Sequence, residues 1–227
     1  MQISIDYRPS YATAKVALDP AEEIVVEAGA MVAMSDLEIE TKARGGFLKS
    51  LGRATLGGES FFLNTYKAPA SGGKIYLAPA LPGDMKVMEM TGETLMVQSG
   101  GYIGASIDVN VETKWKGAKT FFASEGLVML RVSGVGQLII AAYGAIEEFE
   151  LGPGETFTVD TGHLVTFTEG MEFKVRKVGG WKSTLFSGEG LVVDLTGPGK
   201  ATLQTRSQDA FLSWLSPRLS SSNASSA

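Results

Sequence analysis

The sequence predicts an all-β protein: three tandem antiparallel β-sandwich-like units set around a pseudo-threefold axis as a β-prism. Two landmarks that each recur three times with nearly the same period point to this. So does the even spread of 28 Gly and 8 Pro along 227 residues, which marks many short strands and tight turns.

The first landmark is Gly92-Glu93-Thr94-Leu95-Met96-Val97-Gln98-Ser99-Gly100, with counterparts at Gly154–Gly162 and Ala21–Gly29. Each has Glu second, a β-prone stretch after it and Gly ninth; the closing glycines are 71 and 62 positions apart. The second landmark is a small residue, Glu and a strand, built on Glu59, Glu125 and Glu189, which are 66 and 64 apart. After each comes a Gly-led strand starting at Gly73, Gly136 or Gly199. Leu37–Lys42, Ile107–Glu112 and Met171–Arg176 alternate with period two, so each predicts a strand with one wet face. About six strands per unit follow. The units run over about 1–90, 91–152 and 153–207, within one globular domain spanning 1–216.

Two segments read as helices. Phe47 to Leu56 puts Phe47, Leu48, Leu51 and Ala54 on one side, and Lys49 and Arg53 on the other. From 209 to 215, Asp209 is placed to cap, and Phe211, Leu212, Trp214 and Leu215 are placed to dock. Pro217 is expected to stop that helix, leaving 217–227 as a small, polar, disordered tail.

Composition excludes much chemistry. Without cysteine there is no disulfide, thiolate nucleophile, iron–sulfur cluster or Cys-based zinc site. The single His163 lies in a repeated turn, with no nucleophile elbow to serve, which predicts an ordinary surface or half-buried histidine. Gly134-Val135-Gly136 precedes no helix and is no phosphate loop. Met85, Met88, Met90 and Met96 read as core fillers. The residues before Ile5 form no leader pattern. The longest uncharged apolar run, Leu138–Ile146, is about half of the roughly 20 residues a spanning helix needs, so the cytoplasm is the expected compartment.

The formal charge is −5, from 20 basic and 25 acidic residues, which on average disfavours nucleic acid and anionic membrane. The distribution is uneven. Thr41–Gly58, Thr113–Ser124 and Phe173–Gly188 contain no acid. They hold Lys42, Arg44, Lys49 and Arg53; Lys114, Lys116 and Lys119; and Lys174, Arg176, Lys177 and Lys182. These windows carry +11 and the rest of the chain −16. They occupy the same slot in each unit, and threefold symmetry would gather them at one end. With Phe47, Trp115 and Trp181 interleaved, such a rim suits phosphates, anionic head groups or single-stranded RNA. Hairpin tips also need solvated residues, and lysines guard strand edges, so a purely structural role stays open. The carboxylates Glu59, Glu125 and Glu189 near an axis would suit a hard cation, but caps or ion pairs are the commoner use, so no metal or other cofactor is expected.

The run Gly45-Gly46-Phe47-Leu48-Lys49-Ser50-Leu51-Gly52-Arg53, then Gly57-Gly58-Glu59-Ser60-Phe61-Phe62-Leu63-Asn64, resembles a signature of the altered-inheritance-of-mitochondria family. Gly29–Met34 and Gln204-Thr205-Arg206-Ser207 fit it too, so the resemblance spans about 1–207. It implies a fold similar to the tryptophan RNA-binding attenuator protein, repeated three times: an attenuator-protein-like β-prism. Most prokaryotic members are domains of unknown function. The link of mitochondrial members to inner-membrane organisation is not carried over, for want of a transit peptide. No tryptophan pocket of the attenuator kind aligns here, and no catalytic residue is implied.

The expected function is a non-enzymatic binding or scaffold protein that recognises anionic ligands or membrane surfaces through a basic end, with homo-oligomers within its scope. An RNA-binding regulator is the alternative by fold analogy. An enzyme on a small anionic substrate is a third, and it would require a pocket of convergent polar groups.

Overall fold

The computed structural model describes residues 1–40, 54–56, 59–112, 128–177 and 191–220, with side chains in all but 54–56, 59–61 and 220. Strands dominate it, in chain order β1 (Gln2–Asp6), β2 (Thr13–Leu18), β3 (Glu23–Glu27), β4 (Met31–Met34), β5 (Glu38–Glu40), β6 (Ala54–Leu56), β7 (Glu59–Phe61), β8 (Leu63–Lys67), β9 (Gly73–Leu77) and the long β10 (Met85–Gln98). There follow β11 (Tyr102–Ser106), β12 (Val109–Glu112), the long β13 (Met129–Ala141), β14 (Ile146–Leu151), β15 (Thr156–Asp160), β16 (Leu164–Thr168), β17 (Glu172–Lys177), β18 (Leu191–Thr196), β19 (Gly199–Gln204) and one helix, α1 (Gln208–Ser220).

All ladders among the described residues are antiparallel, and one scheme of pairing appears three times. In residues 1–77, β9 lies between β2 and β4, and β8 between β3 and β5. In 85–141 the second half of β13 lies between the first half of β10 and β11, and its first half between the second half of β10 and β12. In 146–204, β19 lies between β14 and β16, and β18 between β15 and β17. A bulge falls at the same place in each, between Met31 and Ala33, Tyr102 and Gly104, and Leu164 and Thr166. Strands also cross between stretches. β3 pairs β11 and β10 pairs β16, which fuses most strands into one ten-stranded sheet. A closed prism would also pair β15 with β4; the described strands form no such ladder.

Alternation of apolar and polar residues produces the half-buried strands. In β2, Ala14, Val16 and Leu18 face inward while Thr13, Lys15 and Ala17 do not. Three apolar clusters result, and each borrows from a neighbouring stretch. Ile103, Ile139 and Ala141 pack with Ile24, Val26, Ile75 and Leu77. Val165 packs with Leu95, Val97, Leu130 and Ile140. Met96 and Met129 pack with Phe167, Val193 and Leu195. Met85, Met90 and Met96 are buried and Met88 packs against the second cluster, as core fillers should.

Both helical expectations need correction. Ala54–Leu56, the end of the helix expected at 47–56, is strand β6, a hairpin with β7. Glycines on both sides, at 52, 57 and 58, leave too few residues for a helix to repay its nucleation. Residues 47–53 lie outside the described residues. The C-terminal helix, expected at 209–215, runs through Pro217 to Ser220, so 217–220 belong to α1 and not to a disordered tail. Polar side chains also bond carbonyls one turn back on either side of Pro217: Ser216 Oγ donates to Leu212 O (2.8 Å) and the Arg218 guanidinium to Trp214 O. Nor does the helix dock as expected. Phe211, Leu212, Trp214 and Leu219 are exposed, and only Leu215 is half-buried.

Candidate functional site

The turns after β3, β10 and β15 line one cleft of about 530 Å³, represented there by Glu27, Gln98, Gly100 and Gly162. Each turn is tied to a described residue on the far side of a basic window. The Ala28 N–H donates to Phe62 O (2.9 Å), the Ser99 N–H to Val128 O (2.9 Å), and Thr161 Oγ1 to Leu191 O (3.1 Å). The near sides of the windows are local as well: Lys177 pairs in register with Leu191. The residues bracketing the second and third windows therefore sit beside turns that share the cleft.

The third turn is built by hydrogen bonds. Asp160 Oδ1 accepts from the Gly162 N–H (2.8 Å), and Gln204 Nε2 donates to Gly162 O (2.8 Å). Gln204 Oε1 accepts from the Tyr143 N–H (2.9 Å). His163 is half-buried, and its Nδ1 lies 2.7 Å from Gln204 O; since a carbonyl only accepts, Nδ1 carries the proton. The imidazole thus holds the turn to β19.

Helix α1 forms another wall through Asp209 and Leu212. Its apolar side chains extend the pole outward: Phe211 meets Tyr143 edge-on at 6.3 Å and stacks with Trp214, over whose ring Arg218 lies at 4.3 Å. Among the described lining residues the charges are Glu27 and Asp209, with no Lys or Arg, so the described wall of the cleft is not itself cationic.

Of the sequence-predicted basic residues, Lys174, Arg176 and Lys177 are described, all exposed on β17. Arg176 forks onto Asp194 (Nε–Oδ2 2.6 Å, Nη2–Oδ1 3.0 Å), and Lys174 pairs in register with the same residue. The Arg176 fork and the Thr158 hydroxyl hold the Asp194 carboxyl below the usual carboxylate range, while Asp194 raises Arg176. The acid-free window is therefore not acid-free in space, because β18 carries Asp194 across the ladder. Lys42, Arg44, Lys49, Lys114, Lys116, Lys119, Lys182, Glu125 and Glu189 lie outside the described residues, as does Arg53. Glu59 opens β7 opposite Leu56, and its side chain is not described.

Two shallower hollows are closed electrostatically. In one of about 480 Å³, Lys86 Nζ lies 2.6 Å from both Glu148 carboxylate oxygens. In another of about 300 Å³, Lys15 pairs with Asp6 (2.6 Å) and lies over Tyr76. Among the described residues no three His, Asp or Glu gather to hold a metal.

Sequence reasoning missed one feature and leaves another open. Arg8 forks onto Asp84 (2.7 and 2.8 Å) from 76 positions away, a pairing with no local signal. In sequence, Phe211 and Trp214 of α1 are equally compatible with an interface and with burial against the core, because a stripe of Phe, Leu and Trp reads the same whether it meets core or solvent.

Known proteins resemble this chain in fold and sequence. An uncharacterised protein of Streptococcus pyogenes serotype M6 is 24% identical over 232 residues, covering 98% of this chain and 93% of the relative. An X-ray crystal structure of a Streptococcus pyogenes protein superposes with a TM-score of 0.79 at 22% identity, over 96% of this chain and 99% of that one. That likeness shows a shared fold and no activity. The model of the mitochondrial biogenesis AIM24 family matches residues 3–206, nearly the whole strand framework just described, and the chain belongs to that family.

Proposed function

We propose that this protein is a non-enzymatic binding module that engages an anionic lipid surface with the pole where the three turns meet. On this reading the three basic windows fringe that pole, and the units are successive rotations of one attenuator-like module about a common axis. The observation that carries the proposal is the shared cleft at the turns, walled on one side by α1 with Phe211 and Trp214 exposed. Lysines attract the head groups, at about 1 kcal/mol each near a charged surface. The aromatic face of α1 then enters the interfacial layer, where Trp and Phe are favoured. That apolar face favours a lipid surface over RNA, since bases stack on aromatics set in a cationic groove.

The test is co-sedimentation with phosphatidylserine-containing vesicles over a salt series, with a random RNA pool in parallel. Wild type should bind vesicles and lose affinity with salt. Lys116→Glu combined with Lys182→Glu should weaken binding several-fold at low salt and flatten the salt dependence, and Trp214→Ala should weaken binding while leaving the salt dependence as it is. Equal binding by the charge variant, or salt-dependent binding to RNA alone, would overturn the lipid reading.

A further inference from the structure

Among the described residues, every junction strand has a neighbour on both sides except two. β11 and β16 each pair with their own stretch on one edge and the preceding stretch on the other, and β3 and the second half of β10 do the same in reverse. Their counterparts at the chain's extremes are β4 and β15. β4 ends the four-stranded sheet and β15 ends the three-stranded one, and among the described residues neither has a partner on its outer edge.

Burial marks the same two places. Val32 stands where Ile103 and Val165 stand; those are 1% and 0% exposed, while Val32 is 60% exposed. Phe157 stands where Ile24 and Leu95 stand; those are 0% and 6% exposed, while Phe157 is 48% exposed. Two apolar side chains built for a junction therefore face solvent, one at each end of the chain's run of units.

Three of the other described edges are protected by charge, while β1, at the far edge of the sheet that β4 ends, carries only Asp6. β5, β14 and β17 carry Glu38 and Glu40; Glu147, Glu148 and Glu150; and Glu172, Lys174, Arg176 and Lys177, the charges with which proteins blunt open edges. β4, Met31-Val32-Ala33-Met34, has no charge, and neither does Thr156–Val159 of β15.

We propose that a second copy of this chain fills the gap: β15 of one copy pairs antiparallel with β4 of the next. The internal junctions supply the register. Gly104 lies opposite Val26 and Ala105 opposite Val25, with Thr166 opposite Val97 and Phe167 opposite Met96 in the equivalent places. At the intermolecular junction Ala33 lies opposite Val159, Met34 opposite Thr158 and Ser35 opposite Phe157. Val32 then enters the partner's third apolar cluster as Ile103 and Val165 enter the first and second. The contact joins two different patches and is heterologous, so it propagates until a ring closes or a filament grows. It does not depend on lipid binding, and its test uses protein alone.

The test is size-exclusion chromatography with light scattering on the full chain, with circular dichroism to confirm folding of each variant. Wild type should exceed the 24.0 kDa monomer mass. Val32→Glu and Phe157→Glu should each run as monomers with unchanged strand content. An equimolar mixture of the two should recover a dimer, because the first retains an intact β15 and the second an intact β4. Met34→Cys mixed with Thr158→Cys should give a disulfide-linked dimer with oxidised glutathione, in a chain that has no cysteine of its own. A monomeric wild type, an oligomer that survives Val32→Glu, or folded variants that fail to complement would overturn the proposal. So would Met34→Cys and Thr158→Cys in one chain linking within that chain.

Discussion

Asp84 is buried at the start of β10, and its carboxylate is fully used: Arg8 forks onto it, and its Oδ1 also accepts the Met85 N–H (2.8 Å). The Arg8 bond chiefly, with the Met85 N–H, holds this carboxyl below its ordinary 3.8 against the opposing effect of burial. A depressed folded value means the contribution is complete above 3.8 and is lost as pH falls from there through the folded value. Asp84→Ala should cost about 2 kcal/mol at neutral pH, since the buried Met85 donor loses its acceptor while the outer half of Arg8 stays solvated. Urea titrations should show the wild-type advantage shrinking below pH 3.8 and absent from the variant. At the same scale Asp194 explains why a basic window in the sequence is not a basic surface in space: its partner Arg176 lies 18 positions away on the neighbouring strand.

At the scale of elements, long β10 and β13 are each two strands run together. β10 kinks where its register slips between Thr91 and Thr94, at Gly92 with φ 117°. The approach to β10 is tighter still. A Cβ at Gly83 would run into the Ala142 carbonyl oxygen, beside an isolated bridge to Gly144. Gly83→Ala should therefore cost at least about 1–3 kcal/mol, because backbone and not a flexible side chain must move. Gly100→Ala, with open space around it, should stay within about 0.5 kcal/mol. Thermal melts of the two alanine variants check the contrast. The strands at Glu38–Glu40, Val109–Glu112 and Glu172–Lys177 were legible from period-two alternation. The far end of α1 was not, since Pro217 lies inside the helix although it lacks the N–H that would bond Ser213 O.

At the scale of the whole molecule, stability is tied to association if β4 and β15 meet between copies. Anything that binds only the folded state raises its melting temperature by mass action. Wild type should then show a Tm that climbs with protein concentration, while Val32→Glu should melt at one temperature throughout. Differential scanning calorimetry over a dilution series measures this directly. The cross-unit fork of Arg131 onto Glu169 (2.7 and 3.1 Å) shows the same sharing on a polar scale, joining β13 to the turn after β16.

The sequence by itself determined the β class, the spacing of the period-two strands, the buried methionines and the absence of any thiol chemistry. Those follow from local pattern and composition, which a single chain displays residue by residue. Only the tertiary structure decided that Val32 and Phe157 face solvent while their counterparts are buried, that Asp194 neutralises Arg176, and that α1 turns its aromatic face outward. Each of these depends on which distant strand becomes a neighbour, and hydrogen-bonded neighbourhood across 18 to 76 positions leaves no mark on either local stretch of sequence.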